Sequence, residues 1–279
     1  MPQPRPFRQV DVFSSVPFLG NPLAVVLDAN GLDDAQMQAI ARWTGLSETT
    51  FVLAPRDPAA DYRVRIFSPE TEFPFAGHPT LGTAHALLDA GMRPKGTHIV
   101  QECGVGLVRI ERGAGGVLAF QAPPCSTRAL NPALQPLLHT ALGGELAADG
   151  TVADMGIRWL CVPLASAAHC LAVQADIAAL TALLAASGAD GLALYGSHAA
   201  RGPADYEVRA LLSEHGALVE DPVTGSANAC IAHLLAGADY TVRQGTRLQR
   251  DGRVAVNFRD GRAWIGGACV TVIEGTILA

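Results

Sequence analysis

The chain has 279 residues, of which 49% are hydrophobic and 16% charged, with 29 Gly and 18 Pro; that balance excludes a disordered or coiled-coil protein and supplies core enough for one large domain or two ordinary ones. A formal net charge of −6 without any long run of Lys and Arg argues against nucleic acid or an anionic membrane as partner, and leaves a small ligand open. The opening Met1-Pro2-Gln3-Pro4 lacks the apolar stretch of a signal peptide, and no later run nears the ~20 apolar residues that span a bilayer, so a cytoplasmic location is expected.

In chain order, Arg8 to Phe13 alternates like a strand, Gly20-Asn21-Pro22 marks a turn, and Leu23 to Leu27 reads as a buried strand. From Asp33 to Thr44 the residues Met37, Ile40, Ala41 and Trp43 predict one helical face, with Asp33 or Asp34 as N-cap and Gly45 as the stop. Leu46 to Leu53 turns strand-like, which places Glu48 where a helix-to-strand turn joins a sheet, and Tyr62 to Phe67 alternates strictly. Thr80 to Leu88 is apolar and rich in small residues, suited to a helix wrapped by a sheet, with Pro79 compatible with its first position. Short strands fill residues 97 to 120, and Ala122-Pro123-Pro124 is the boundary signal. Domains are therefore expected at 1–122 and 123–269, with a C-terminal strand of about 270–279 that returns to the first.

The six cysteines, Cys103, Cys125, Cys161, Cys170, Cys230 and Cys269, form no C-x-x-C pair, so no zinc knuckle or dithiol motif is written and buried reduced thiols are expected. Gly104-Val105-Gly106 lacks the third glycine of a dinucleotide loop, and no G-x-S-x-G elbow occurs.

An internal repeat is the strongest organisational feature. Residues 72–87 align without a gap on 220–235, at an offset of 148, with six identities in sixteen positions: Glu72/Glu220, Pro74/Pro222, Gly77/Gly225, Ala84/Ala232, His85/His233 and Leu87/Leu235. Average composition would give about one. Upstream, Tyr62-Arg63-Val64-Arg65 answers Tyr206-Glu207-Val208-Arg209 after a four-residue adjustment. A duplicated strand-turn-helix unit implies pseudo-two-fold lobes whose helices, starting at Gly77 and Gly225, direct their N–H groups at a shared anion site. The copies differ where chemistry would need it, Phe73 against Asp221 and His78 against Ser226.

Gly20-Asn21-Pro22-Leu23-Ala24-Val25-Val26, Leu46-Ser47-Glu48-Thr49-Thr50-Phe51, the segment 73–84, Glu220-Asp221-Pro222-Val223-Thr224-Gly225-Ser226-Ala227 and Glu274-Gly275-Thr276-Ile277-Leu278 together resemble the signatures of the PhzF-like family of phenazine biosynthesis isomerases. The resemblance spans nearly the whole chain in order. It departs at Leu211-Leu212-Ser213-Glu214, where family members usually show an aromatic residue and a proline, as Phe67-Ser68-Pro69 does in the first repeat.

The resemblance implies an α+β fold of the diaminopimelate epimerase-like type: two pseudo-symmetric lobes, each a curled, mostly antiparallel sheet around a central helix. It implies no cofactor and no metal, a homodimer, and a small carboxylate-bearing substrate. In the related epimerases and proline racemases two acid/base cysteines follow the helix-starting turns; His78 and Ser226 hold those positions here, which argues against a two-cysteine racemase. Carried over residue by residue, Glu48, His78 and Asp221 are the catalytic candidates. Gly77, Gly225 and Ser226 are the substrate-binding ones. Glu48 would be the general acid/base, desolvated by Phe51, Phe73 and Phe75. Asp221 either pairs with His78 or caps the following helix, and His85, His233 and Cys230 read as structural. The implied reaction is an allylic proton shift like that of trans-2,3-dihydro-3-hydroxyanthranilate isomerase. Epimerisation or dehydration of an amino or hydroxy acid, and a non-catalytic ligand-binding role, are the alternatives.

Overall fold

The computed structural model describes residues 2–143, 146–214 and 216–279. The chain folds as two compact units, Met1–Gln121 with Ile265–Ala279, and Ala122–Trp264.

In the first unit the elements run β1 (Pro4–Val12), β2 (Asn21–Val26), α1 (Asp34–Thr44), β3 (Thr49–Leu53), β4 (Tyr62–Phe67), β5 (Glu72–Phe73), α2 (Gly77–Asp89), β6 (Ile99–Cys103), β7 (Gly106–Arg112) and β8 (Leu118–Gln121). The second holds β9 (Ser126–Ala129), α3 (Gln135–Leu142), β10 (Thr151–Asp154), β11 (Arg158–Pro163), α4 (Ala167–Ala172), α5 (Ile177–Ser187), β12 (Gly191–Ser197), β13 (Tyr206–Glu214), β14 (Ala217–Asp221), α6 (Gly225–Leu235), β15 (Tyr240–Gln244) and β16 (Gly252–Arg259). Strand β17 (Arg262–Gly267) leads back to the first unit, where β18 (Cys269–Leu278) pairs antiparallel with β1.

Helix α1 begins with a reciprocal capping box, in which the Gln36 amide donates to Asp33 and the Asp33 amide to the Gln36 side chain, and it stops at the left-handed Gly45. Its buried face is Met37 and Ala41, packed with Val26, Phe51 and Phe67. Trp43 does not belong to that face: it is 82% exposed. Two residues past Ala41 is about 200° around the helix, which turns the indole to solvent.

Helix α2 packs against β1, β2, β3, β6, β8 and β18 of its own unit, and its residues from Gly77 to Ala84 are all buried. A helix start buried on every side belongs to the interior, and Gly82 is small because a Cβ there would lie 2.6 Å from Leu23 Cδ2. The helix starts two residues earlier than Pro79 suggests, so Pro79 is its third residue. That position costs no hydrogen bond, because the first four N–H groups of a helix have no acceptor within it.

The repeat extends through both sheets. In the first unit β1–β2 is antiparallel, β2–β3 parallel, β3–β4 antiparallel, β4–β6 parallel and β6–β7 antiparallel. In the second, β10–β11, β11–β12, β12–β13, β13–β15 and β15–β16 follow the same series. Phe67 faces Glu72 as Leu211 faces Glu220, so the four-residue adjustment lies in a longer β13–β14 hairpin, through which Leu212 and Ser213 continue the strand.

One polar device is duplicated with the strands, and a glutamine that ties the neighbouring strand to the helix recurs two residues further along that strand in the second unit. Arg65 grips Glu72 through Nε and Nη2 at 2.7 and 2.5 Å, and Arg209 grips Glu220 through the same atoms at 3.0 and 2.8 Å. Buried Gln101 donates to Thr80 in α2, while buried Gln244 accepts from Asn228, the matching residue of α6, and from the Thr224 amide.

The two bidentate pairs differ in burial, with the Glu72 side chain 40% exposed and that of Glu220 11%. Breaking a buried pair strands its partner, whereas an exposed pair contributes little. Glu220→Gln is therefore expected to cost about 3–5 kcal/mol in urea unfolding and Glu72→Gln less than about 1 kcal/mol. Equal losses in the two variants would contradict this account.

Candidate active site

In the first unit the tight connection from α1 to β3 delivers Glu48 immediately before Thr49, a fully buried first residue of the strand. The Glu48 side chain is 14% exposed, and its Oε2 lies 3.5 Å from Nε2 of His78, the second residue of α2. On the other side of the ring, Asn21 Nδ2 at the start of β2 lies 3.5 Å from His78 Nδ1. Burial pushes the His78 imidazole down to about 3, so it is neutral near pH 7. Burial thus outweighs the adjacent carboxylate, and the contact is one of a carboxylate with a dipole rather than an ion pair. An amide nitrogen can only donate. Nδ1 must then accept, and Nε2 carries the proton toward Glu48.

In the second unit Asp221 closes β14 and α6 begins at Gly225, with Thr224 as its N-cap residue. Threonine favours that position, yet it makes no capping bond here. Its hydroxyl donates to Asp221 Oδ2 at 2.5 Å and accepts from Gln244 Nε2 at 2.9 Å. Asp221 therefore holds the side chain that would otherwise cap α6, and does not cap the helix itself. The N-cap residue of α2, Ala76, has no side-chain acceptor to offer. Both helices consequently start without a side-chain cap, at Gly77-His78 and at Gly225-Ser226, a geometry suited to an anion. Ser226 is buried, and its Oγ accepts the indole N–H of Trp159 at 3.1 Å.

The structure brings Glu48 and His78 together in the first unit, and places Asp221, Gly225 and Ser226 on one β14–α6 segment in the second. Sequence reasoning does not select Asn21, Trp159, Thr224 or Gln244. Asn21 has a usable signal, since it lies in one of the resemblance segments, whereas Trp159 has none. Of the phenylalanines expected around Glu48, Phe51 meets Phe67 edge-on in the core under α1, Phe73 pairs with Ile66, and Phe75 packs against Phe120. His85 Nε2 lies 3.2 Å from Thr271 Oγ1, and His233 Nε2 lies 3.4 Å from the Pro123 carbonyl. All six cysteines are free thiols; Cys161, Cys170 and Cys230 are buried, while Cys103, Cys125 and Cys269 are partly exposed, so the expectation of uniform burial does not hold. Among the described residues no three His, Cys, Asp or Glu side chains gather as a metal site, and no helix is long and apolar enough to cross a membrane.

The neutral His78 generates a pH dependence of folding. Below pH 6.5 the unfolded chain takes up a proton at this position that the folded chain refuses until about pH 3. Stability contributed by the depressed group is present above pH 6.5 and lost as pH falls through that window, at up to about 1.4 kcal/mol per pH unit. Urea unfolding of His78→Gln between pH 7 and pH 4.5 should show a shallower acid slope than the parent chain; identical slopes would count against a neutral buried ring.

Comparison with known proteins agrees with this architecture. The family model for phenazine biosynthesis-like proteins (PhzC–PhzF) matches residues 10–275. A protein named as an uncharacterized isomerase from Mesorhizobium japonicum is 34% identical, over 99% of both chains. Trans-2,3-dihydro-3-hydroxyanthranilate isomerase from Pseudomonas fluorescens is 49% identical over 112 residues, 39% of each chain. The crystal structure of a PhzF-family phenazine biosynthesis protein from Bacillus anthracis superimposes with a TM-score of 0.85 at 25% identity, covering 99% of this chain and all of that one. With the match running through nearly every strand and both enclosed helices, the chain belongs to the PhzC–PhzF family, adopts its diaminopimelate epimerase-like α+β fold, and is an isomerase.

Proposed function

We propose that the chain catalyses a cofactor-independent allylic proton shift on a small carboxylate-bearing substrate, with Glu48 as the group that takes the proton from one carbon and returns it to another. The observation that carries this reading is the Glu48–His78 contact: a largely buried carboxylate 3.5 Å from a histidine that burial keeps neutral. An imidazolium at that distance would hold the carboxylate in an ion pair and reduce its tendency to accept a proton. A neutral ring does not, and its Nε2–H can instead follow the carboxylate as its charge changes. Asn21 fixes which ring nitrogen carries that proton.

Substrate binding is assigned to Gly77 at the start of α2, and to Gly225 and Ser226 at the start of α6. Uncapped amides and the helix dipole favour an anion there without a cationic side chain. Asp221, fixed by Thr224, holds a polar group of the substrate. The compound in the Pseudomonas fluorescens relative's name, trans-2,3-dihydro-3-hydroxyanthranilate, has the required parts, a carboxylate and a partly reduced ring.

The experiment is turnover of that compound in deuterated water followed by NMR. The parent chain should move the double bond and incorporate deuterium at the carbon that receives the proton. Glu48→Gln should fold normally and lose at least about 100-fold in kcat, the range general acid–base groups supply. Near-parental turnover by Glu48→Gln would transfer the proton chemistry to another residue, and exchange at one stereocentre without double-bond movement would replace the isomerisation with an epimerisation.

A further inference from the structure

The duplicated ladders allow the two units to be matched residue by residue around the helix starts. Thr49 faces Phe67 and Leu192 faces Leu211, and Phe67 and Leu211 are equivalent through their glutamate partners. Thr49 thus corresponds to Leu192, and Glu48 to Gly191. One strand further, Ala24 lies beside Thr49 as Leu160 lies beside Leu192, which makes Leu23 the counterpart of Trp159.

Where the first unit has the pair Leu23 and Glu48, the second has Trp159 and Gly191. The exchange is coupled by space. A Cβ on Gly191 would lie 2.4 Å from Trp159 Cζ3, with Cε3 and Cη2 at 2.9 and 3.0 Å, so the indole rests on bare backbone and no larger residue fits beneath it. The ring then carries its N–H to Ser226, the second residue of α6. In the first unit the second residue of α2 is His78, and Glu48 meets it. At equivalent junctions one unit presents a carboxylate and the other a hydrogen-bond donor.

An indole N–H can only donate, and a hydroxyl has one proton and two acceptor sites. Held by Trp159, Ser226 Oγ uses one acceptor site on the indole, which leaves its own O–H to point at another acceptor. We infer that Trp159 is a positioning residue that makes Ser226 a hydrogen donor to the ligand's carboxylate, and that Gly191 is the residue that admits its ring. The inference rests on the assignment of Ser226 to substrate binding made above. It adds a means of selecting an anion over a cation or a neutral donor without a charged side chain.

The test uses anthranilate, a stable aromatic carboxylate, titrated into 15N-labelled protein and into the variants Trp159→Phe, Ser226→Ala and Gly191→Ala. The chain has three tryptophans, so three indole N–H signals are present, and the one missing from Trp159→Phe is the reporter. Addition of anthranilate to the parent chain should shift that signal, and Ser226→Ala should shift it without ligand. Trp159→Phe and Ser226→Ala should each weaken binding about tenfold, and the double variant no more than either alone, because both remove one coupled contact. Gly191→Ala should weaken binding similarly by displacing the ring, and it decides the matter if Trp159→Phe fails to fold. If Ser226→Ala weakens binding while Trp159→Phe and Gly191→Ala bind as the parent does, Trp159 only fills space and the inference is overturned with the site assignment intact. Should the parent fail to bind, or Ser226→Ala bind normally, the assignment of Ser226 fails and this inference with it.

Discussion

Helices α2 and α6 are enclosed along their first turns by strands of their own units, and that enclosure dictates both what the helices are made of and what their ends can do. Mostly small residues fit along the sides, in the runs Gly77 to Ala84 and Gly225 to Ala232, buried throughout with the polar His78, Thr80, Thr83, Ser226 and Asn228 among them. The side chains at the caps do not satisfy the first N–H groups. Ala76 has no side-chain acceptor, and the Thr224 hydroxyl is engaged, donating to Asp221 and accepting from Gln244. A buried helix end without a side-chain cap is a cost in an empty protein and an asset in one that binds an anion.

Duplication followed by divergence explains how one scaffold carries two different helix starts. The Arg–Glu pairs are retained, and each helix is tied to a neighbouring strand by a glutamine, the two glutamines lying two residues apart in the matched ladders. The parts that face a helix start have been exchanged together: Glu48 with His78 in one unit, Trp159 over Gly191 with Ser226 in the other. The exchange leaves one start faced by a carboxylate and the other by an indole N–H.

Much of the fold is legible in the sequence because it is local. The capping box at Asp33, the stop at Gly45, the alternation of Tyr62 to Phe67 and the gapless repeat each depend on residues a few positions apart, and they sit where the pattern places them. Trp43 departs from its expected face because an apolar residue near a helical stripe is not necessarily on it, and Pro79 from its expected position because a proline is tolerated throughout the first turn. At the site, Glu48 and His78 are legible through the resemblance of whole segments. Trp159 is not, since its role depends on a glycine 32 positions away and a serine 67 positions away. Contacts assembled by parallel strands leave no periodic trace.

Strand β18 has a consequence for how the polypeptide is made. It lies along β1 from Pro4↔Leu278 to Val12↔Cys269, and the residues of the intervening unit are contiguous in sequence. During synthesis the second unit therefore leaves the ribosome in full before the first can complete its sheet, and β1, with its partner not yet translated, has only β2 beside it. An open strand edge is the stretch at which a nascent protein meets chaperones or its own copies. The order of maturation in this molecule is thus the reverse of its order of translation: the half that starts first is finished last.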